Sequence, residues 1–124
     1  MITGIGTDIV QLDRMRAALD RRGDALARRL LADDEWQRYQ THPDRARFLS
    51  KRFAAKEAAL KALGTGLRNG ISWHDVSVAN DANGKPRLCF SGVAGQLVAA
   101  SRCHLSISDE QDYALAFVII ESES

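Results

Sequence analysis

Cysteine is scarce in this chain of 124 residues, with two in all. Cys89 and Cys103 lack the paired spacing of a metal site, so both are expected as reduced thiols in a cytoplasmic protein. Long apolar runs are missing too. The longest, Ala114 to Ile120, is too short to span a membrane. The opening stretch MITGIGTDIV has neither a charged leader nor a cleavage pattern, so no signal peptide is expected. Aromatics make up 6% of residues and the net charge is only +1, which argues against a dedicated nucleic-acid binder. Low-complexity tracts, internal repeats and long linkers are also lacking. A single domain over 1–124 follows, large enough to bury a core.

The small net charge hides an asymmetry. Residues 1–63 carry 13 Lys/Arg against 9 Asp/Glu, and residues 64–124 carry 4 against 7. A basic N-terminal half points to an anionic substrate or partner.

Local patterns then predict the elements. Ile2 to Val10 reads as a strand with Ile5, Thr7 and Ile9 on one face and Gly4, Gly6, Asp8 and Val10 on the other. Leu12, Met15 and Leu19 recur at helical spacing. Gly23 ends that helix, Asp24 caps a second over Ala25–Leu31, and Asp33 or Asp34 caps a third through Tyr39. Pro43-Asp44 opens a long helix running to about Leu63. Beyond it the period becomes alternating: Val76 and Val78, then Leu88 and Phe90, flank a turn at Asn80–Pro86. A small-residue helix over Gly92–Ala100 precedes strands at His104–Ser108 and Tyr113–Glu121. The order predicts an α+β fold, a mostly antiparallel sheet packed with one long and several short helices.

Two carboxylates stand where charge is costly. On the long helix, Glu57 falls inside the border of a stripe formed by Leu49, Phe53 and Leu60, with Lys61 one turn on. An ion pair between Glu57 and Lys61 at a solvated edge is one account. Asp8 offers another. It shares a strand face with two glycines, which leave room for a ligand, and together with Glu57 it makes a reasonable Mg²⁺ pair. That ion commonly takes one or two carboxylates and completes its shell with water and substrate phosphate. Arg52, Lys56 and Lys61 then read as cations for a phosphate-rich substrate, and Gly64-Thr65-Gly66 as either a helix cap or a run of backbone N–H groups facing an anion.

Four segments together carry a resemblance: GIGTDIV at 4–10, RFAAKEAALKALGTG at 52–66, NGKP at 83–86 and HLSISDEQDYALAFVIIE at 104–121. The chain resembles the small phosphopantetheinyl transferases of the holo-(acyl-carrier-protein) synthase family along its whole length. The resemblance implies a Mg²⁺-dependent transfer of 4′-phosphopantetheine from coenzyme A to a serine of apo acyl carrier protein, in fatty acid biosynthesis. It implies metal ligands at Asp8 and Glu57, and Lys61 at the pyrophosphate. Glu57, directly or through water, is the favoured acceptor of the serine proton. Coenzyme A is expected to meet Arg52, Lys61, Gly64, Gly66 and the Asn83-Gly84-Lys85-Pro86 turn. The carrier is expected to dock on Arg14, Arg21 and Arg28. The resemblance also implies a homotrimer with sites at subunit boundaries. One departure stands out: relatives with a Ser-x-Thr-His run have histidine where this chain has Asp109. Two other readings compete: a non-catalytic module docking an acidic protein, and an enzyme serving a different carrier, as in polyketide synthesis.

Overall fold

The computed structural model describes residues 1–123. Strand β1 (Ile2–Gln11) leads into helices α1 (Leu12–Arg22), α2 (Asp24–Leu30), α3 (Asp33–Thr41) and the long α4 (Arg45–Leu63). A short 3₁₀ turn at Trp73–Asp75 enters the hairpin β2 (Val76–Asn80) and β3 (Pro86–Phe90). Helix α5 (Gly92–Leu97) and strands β4 (Ser101–Asp109) and β5 (Tyr113–Ser122) finish the fold.

The α+β expectation holds. The strands form two sheets, one in the order β1-β5-β4 and one of β2-β3, and every pairing is antiparallel. Helix α5 stops at Leu97, three residues before the predicted end, and β4 begins at Ser101, three before the predicted start. Small residues without strong preference (Val98 to Ala100) form the turn between them.

Helix α4 is the centre of the molecule. Leu49, Ala54, Ala55, Ala58 and Ala59 are fully buried, and Leu60 and Ala62 nearly so. A single apolar stripe centred on Phe53 was expected; instead the helix is enclosed on most sides. Between Phe53 and Leu60, Phe53 and Glu57 are the two half-buried positions, followed by exposed Lys61. Spaced four apart, these three form one strip.

Alanine allows close packing on α4, and glycine on β1 completes it. A Cβ on Gly4 would sit 2.1 Å from the Ala62 carbonyl oxygen, and one on Gly6 would sit 2.0 Å from that of Ala58. No side chain fits there. The glycines therefore serve the approach of a helix, and the room expected for a ligand is taken by α4 itself. Facing them from β5 are the fully buried Ala114, Ala116 and Val118.

The other side of this sheet is bare. Ile5 and Ile9 on β1, with Leu115 and Phe117 on β5, are exposed. The register sets Ile9 beside Leu115 and Thr7 beside Phe117, so they form a continuous apolar face.

Candidate active site

Seating α4 on Gly4 and Gly6 carries the next inward residue of β1, Asp8, to the strip of α4 that bears Glu57 and Lys61. The Lys61 Nζ donates to Asp8 Oδ1 and to the Thr7 carbonyl oxygen, both at 3.0 Å. Lys61 thus reaches across to the strand, and its salt bridge is with Asp8, not Glu57. Burial pushes the Glu57 carboxyl above its ordinary value; the nearby Asp8 charge adds to the effect and Lys61 opposes it. Two carboxylates from distant positions and one ammonium share a small space, as the sequence predicts. Among the described residues, no group of three or more His, Cys, Asp and Glu converges on one point. A metal bound here would have Asp8 and Glu57 as its protein carboxylates and would need water or substrate for the rest of its shell.

Two clefts meet at Glu57. The larger, of about 550 Å³, runs beside Asp8 and Glu57 between α1, α2 and the 3₁₀ turn. Its walls include Met15, Leu26, Leu30, Phe53 and Trp73, and Arg14, Arg22 and Arg29 also line it. The smaller, of about 300 Å³, is lined by Glu57, Lys61, Gly64 and Gly66 together with Leu60 and Leu67. The Gly64 amide does not face this cleft as a free donor. It bonds the carbonyls of Leu60 and Lys61 and closes the helix in the left-handed conformation at φ 78°.

Other expected residues lie elsewhere. Arg52 is five residues before Glu57, which turns it about 140° round the helix. It is 5% exposed, with Nε 3.4 Å from Glu35 Oε2, and borders a cleft of about 170 Å³ with Arg38, Arg47, Lys51 and Asn80. Lys56 is fully buried and salt-bridged to Glu35 at 2.7 Å. Of the three cations expected around Glu57, only Lys61 is there; the other two neutralise an interior carboxylate that the sequence reading missed. The Asn83–Pro86 turn is built around Asp81, whose carboxylate accepts from the amides of Asn83 and Lys85. The turn lines neither Glu57 cleft. It adjoins the Arg52 side through Asn80, whose side chain bonds the Gly84 carbonyl, Arg38 and Arg52.

Of the docking arginines, Arg14 lines the large cleft. Arg21 is exposed on the same helix without lining it, and the Arg28 guanidinium lies over the Trp36 ring at 4.7 Å. Arg22 and Arg29 take the expected places, a shift decided by how α1 and α2 turn at Gly23. Asp109 pairs with Arg47 at 2.8 Å and Lys51 at 3.7 Å, toward the N-terminal end of α4, whereas Lys61 lies near its C-terminal end. His104 bonds Glu121 at 2.8 Å on the open face of the sheet, in keeping with a structural role.

A carboxylate pair beside a lysine and a glycine-lined cleft can chemically accommodate a metal–phosphate group, and comparison with known proteins places the chain in a family. A model described as the 4′-phosphopantetheinyl transferase superfamily matches residues 4–118, and the chain belongs to that superfamily. Its relatives narrow the class to holo-[acyl-carrier-protein] synthases. The one from Aliivibrio salmonicida is 53% identical over 124 residues, spanning 98% of both chains. A crystal structure of the Neisseria meningitidis synthase superposes with a TM-score of 0.90 at 42% identity, covering 98% of this chain and 100% of that one. Another, from Bacillus anthracis in complex with CoA (3′,5′-ADP), gives 0.84 at 38%, covering 99% of each.

Proposed function

We propose that this chain transfers 4′-phosphopantetheine from coenzyme A to a serine of an apo acyl carrier protein, releasing adenosine 3′,5′-bisphosphate, with Mg²⁺ held by Asp8 and Glu57. The observation that carries the metal reading is the Lys61 ammonium resting 3.0 Å from Asp8. A pair of carboxylates that draws in a cation from its own chain suits a metal that takes one or two carboxylates and fills its shell with water and phosphate. When bound, Mg²⁺ supplies charge neutralisation for the pyrophosphate.

The chain's residues supply the rest. Lys61, once released from Asp8, faces the charge that grows on the departing phosphate. Glu57 is the acceptor for the serine proton as the serine oxygen bonds the β-phosphorus and the bond to the leaving nucleotide breaks. Burial, which raises the proton affinity of Glu57, suits that task. The large cleft, with apolar walls and arginines at 14, 22 and 29, fits an acidic protein that brings its serine to Glu57.

We assign the nucleotide end to the Arg52 side and the Asn83–Pro86 turn. In one copy these face away from Glu57, so a single chain offers two half-sites. Three copies joined through the open apolar face of Ile5, Ile9, Leu115 and Phe117 would set one copy's Arg52 side against another's Glu57. Phe117→Asp should convert the assembly to monomers by light scattering and abolish transfer. Two unpaired, half-buried cysteines accord with a cytoplasmic setting, and we propose a fatty acid carrier as the acceptor. The deciding experiment is intact mass of an apo carrier after incubation with this protein, coenzyme A and Mg²⁺. A gain of one phosphopantetheine is expected, and an unchanged mass refutes the activity.

A further inference from the structure

Lys56 precedes Glu57 in the chain and lies about 100° round the helix from it, fully buried. Its ammonium meets three acceptors from three different elements. Glu35 Oε1 of α3 is 2.7 Å away, the Leu30 carbonyl at the end of α2 is 2.7 Å away, and the Trp73 carbonyl of the 3₁₀ turn is 3.1 Å away. All three N–H donors have partners.

Neutralising Glu35 does not require this lysine. Glu35 also lies 3.4 Å from Arg52 Nε, and it accepts from the amides of Ala32 at 3.0 Å and Val78 at 2.9 Å. Nor is a buried ion pair an efficient source of stability, since apolar replacements of similar volume are often as stable. What Lys56 does that an apolar residue cannot is hold two backbone carbonyls.

Those carbonyls belong to the walls of the large cleft. The side chains of Leu30 and Trp73 line it beside Glu57. Helix α2 has seven residues and the turn has three, too few to hold their own positions. They are tied to each other, because the His74 ring bonds the Arg28 carbonyl at 3.0 Å. Lys56 then ties the joined pair to α4, one residue from Glu57.

We infer that Lys56 is a positioning residue for the carrier protein: by clamping α2 and the Trp73 turn to α4 it sets the width of the cleft through which the acceptor serine approaches Glu57. The inference rests on the large cleft being the carrier's docking site, as proposed above.

The test is steady-state kinetics with apo carrier and coenzyme A varied separately, on Lys56→Met, Trp73→Ala and Arg14→Glu. Lys56→Met keeps the stem and removes the three donors. It should raise KM for the carrier roughly tenfold, the scale of one lost hydrogen bond to a charged group, while KM for coenzyme A stays within about twofold. A merely structural loss would instead lower the active fraction, so that kcat falls and neither KM moves; that result overturns the proposal. Trp73→Ala keeps the clamped carbonyl and removes the wall, at a half-buried position. It should show the same split, and should Lys56→Met fail to fold, an unchanged carrier KM in Trp73→Ala overturns the proposal by itself. Arg14→Glu separates the two levels. If it raises carrier KM and Lys56→Met does not, the clamp is wrong and the docking cleft stands. If neither changes carrier KM, the docking cleft is wrong and the clamp falls with it.

Discussion

Replacing Lys61 by methionine should do two opposite things, and the pair of effects tests the site's organisation. In the metal-free protein the Lys61 ammonium lies 3.0 Å from Asp8 Oδ1. Its side chain is 53% exposed, against 16% for Asp8, so a water-like dielectric is the right one to use. A unit charge pair at that distance in water is worth about 1.4 kcal/mol, close to a factor of ten in an equilibrium constant. A divalent ion entering between Asp8 and Glu57 must displace that ammonium. Lys61→Met should therefore bind Mn²⁺ or Mg²⁺ about tenfold more tightly in the absence of coenzyme A. Turnover should fall by at least ~10²-fold, because the preorganised charge facing the leaving phosphate is gone. Titration of Mn²⁺ followed by paramagnetic resonance, at low salt, reads the first effect directly. Unchanged or weaker metal binding in Lys61→Met would refute the competition. A loss confined to KM would make Lys61 a uniform binding contact.

Asp8→Ala and Glu57→Ala should each abolish transfer while leaving the circular dichroism spectrum unchanged; a near-native rate at limiting Mg²⁺ would rule out the two-carboxylate site. Gly6→Ala should destabilise the chain by roughly 1–3 kcal/mol, the overpacking range, since its Cβ meets the Ala58 carbonyl; a melting temperature equal to that of the parent would contradict the contact. Arg14→Glu should weaken carrier binding and flatten its salt dependence without altering coenzyme A affinity, measured by calorimetry at two ionic strengths. Asp44 caps α4 by accepting from the Arg47 amide, and that bond, ahead of the Arg47 side chain, holds its carboxyl below the ordinary value. Its stabilisation is present above the unfolded pKa and fades as pH falls through the lower folded one. Asp44→Ala should cost about 1 kcal/mol at neutral pH, and denaturant curves for variant and parent should converge in acid.

The elements and the cluster of Asp8, Glu57 and Lys61 were legible because their signals are local or chemically distinctive. Alternation put Asp8 on the same strand face as Gly4 and Gly6, and helical spacing put Glu57 and Lys61 on one strip. What the pattern could not supply was which partner takes each charge. Lys61 stands four residues from Glu57 and bonds Asp8, 53 positions away. Arg52 and Lys56 look like surface cations in an alanine-rich helix, and the acid that draws them inward, Glu35, sits in a separate acidic run. A clue was available: Arg52 and Lys56 are spaced four apart on a helix whose alanines leave no solvated face there. The glycines of β1 were read correctly as a close approach and wrongly as to what approaches. Which arginines line the large cleft depends on the turn at Gly23, and its backbone angles are not written in the charge pattern.

The two sides of α4 have a genetic consequence. Asp8, Glu57 and Lys61 lie on one side and Arg52 on the other, so in the proposed ring each reaction centre draws its acidic half from one copy and its cationic half from the next. Two inactive proteins, Glu57→Ala and Arg52→Ala, should then rescue each other when unfolded together and refolded. In a head-to-tail ring assembled at random from equal amounts, about one boundary in four joins two intact halves. A mixture of two dead enzymes would thus regain about a quarter of the parent's sites, and a protein whose centres were each contained in a single chain would regain none.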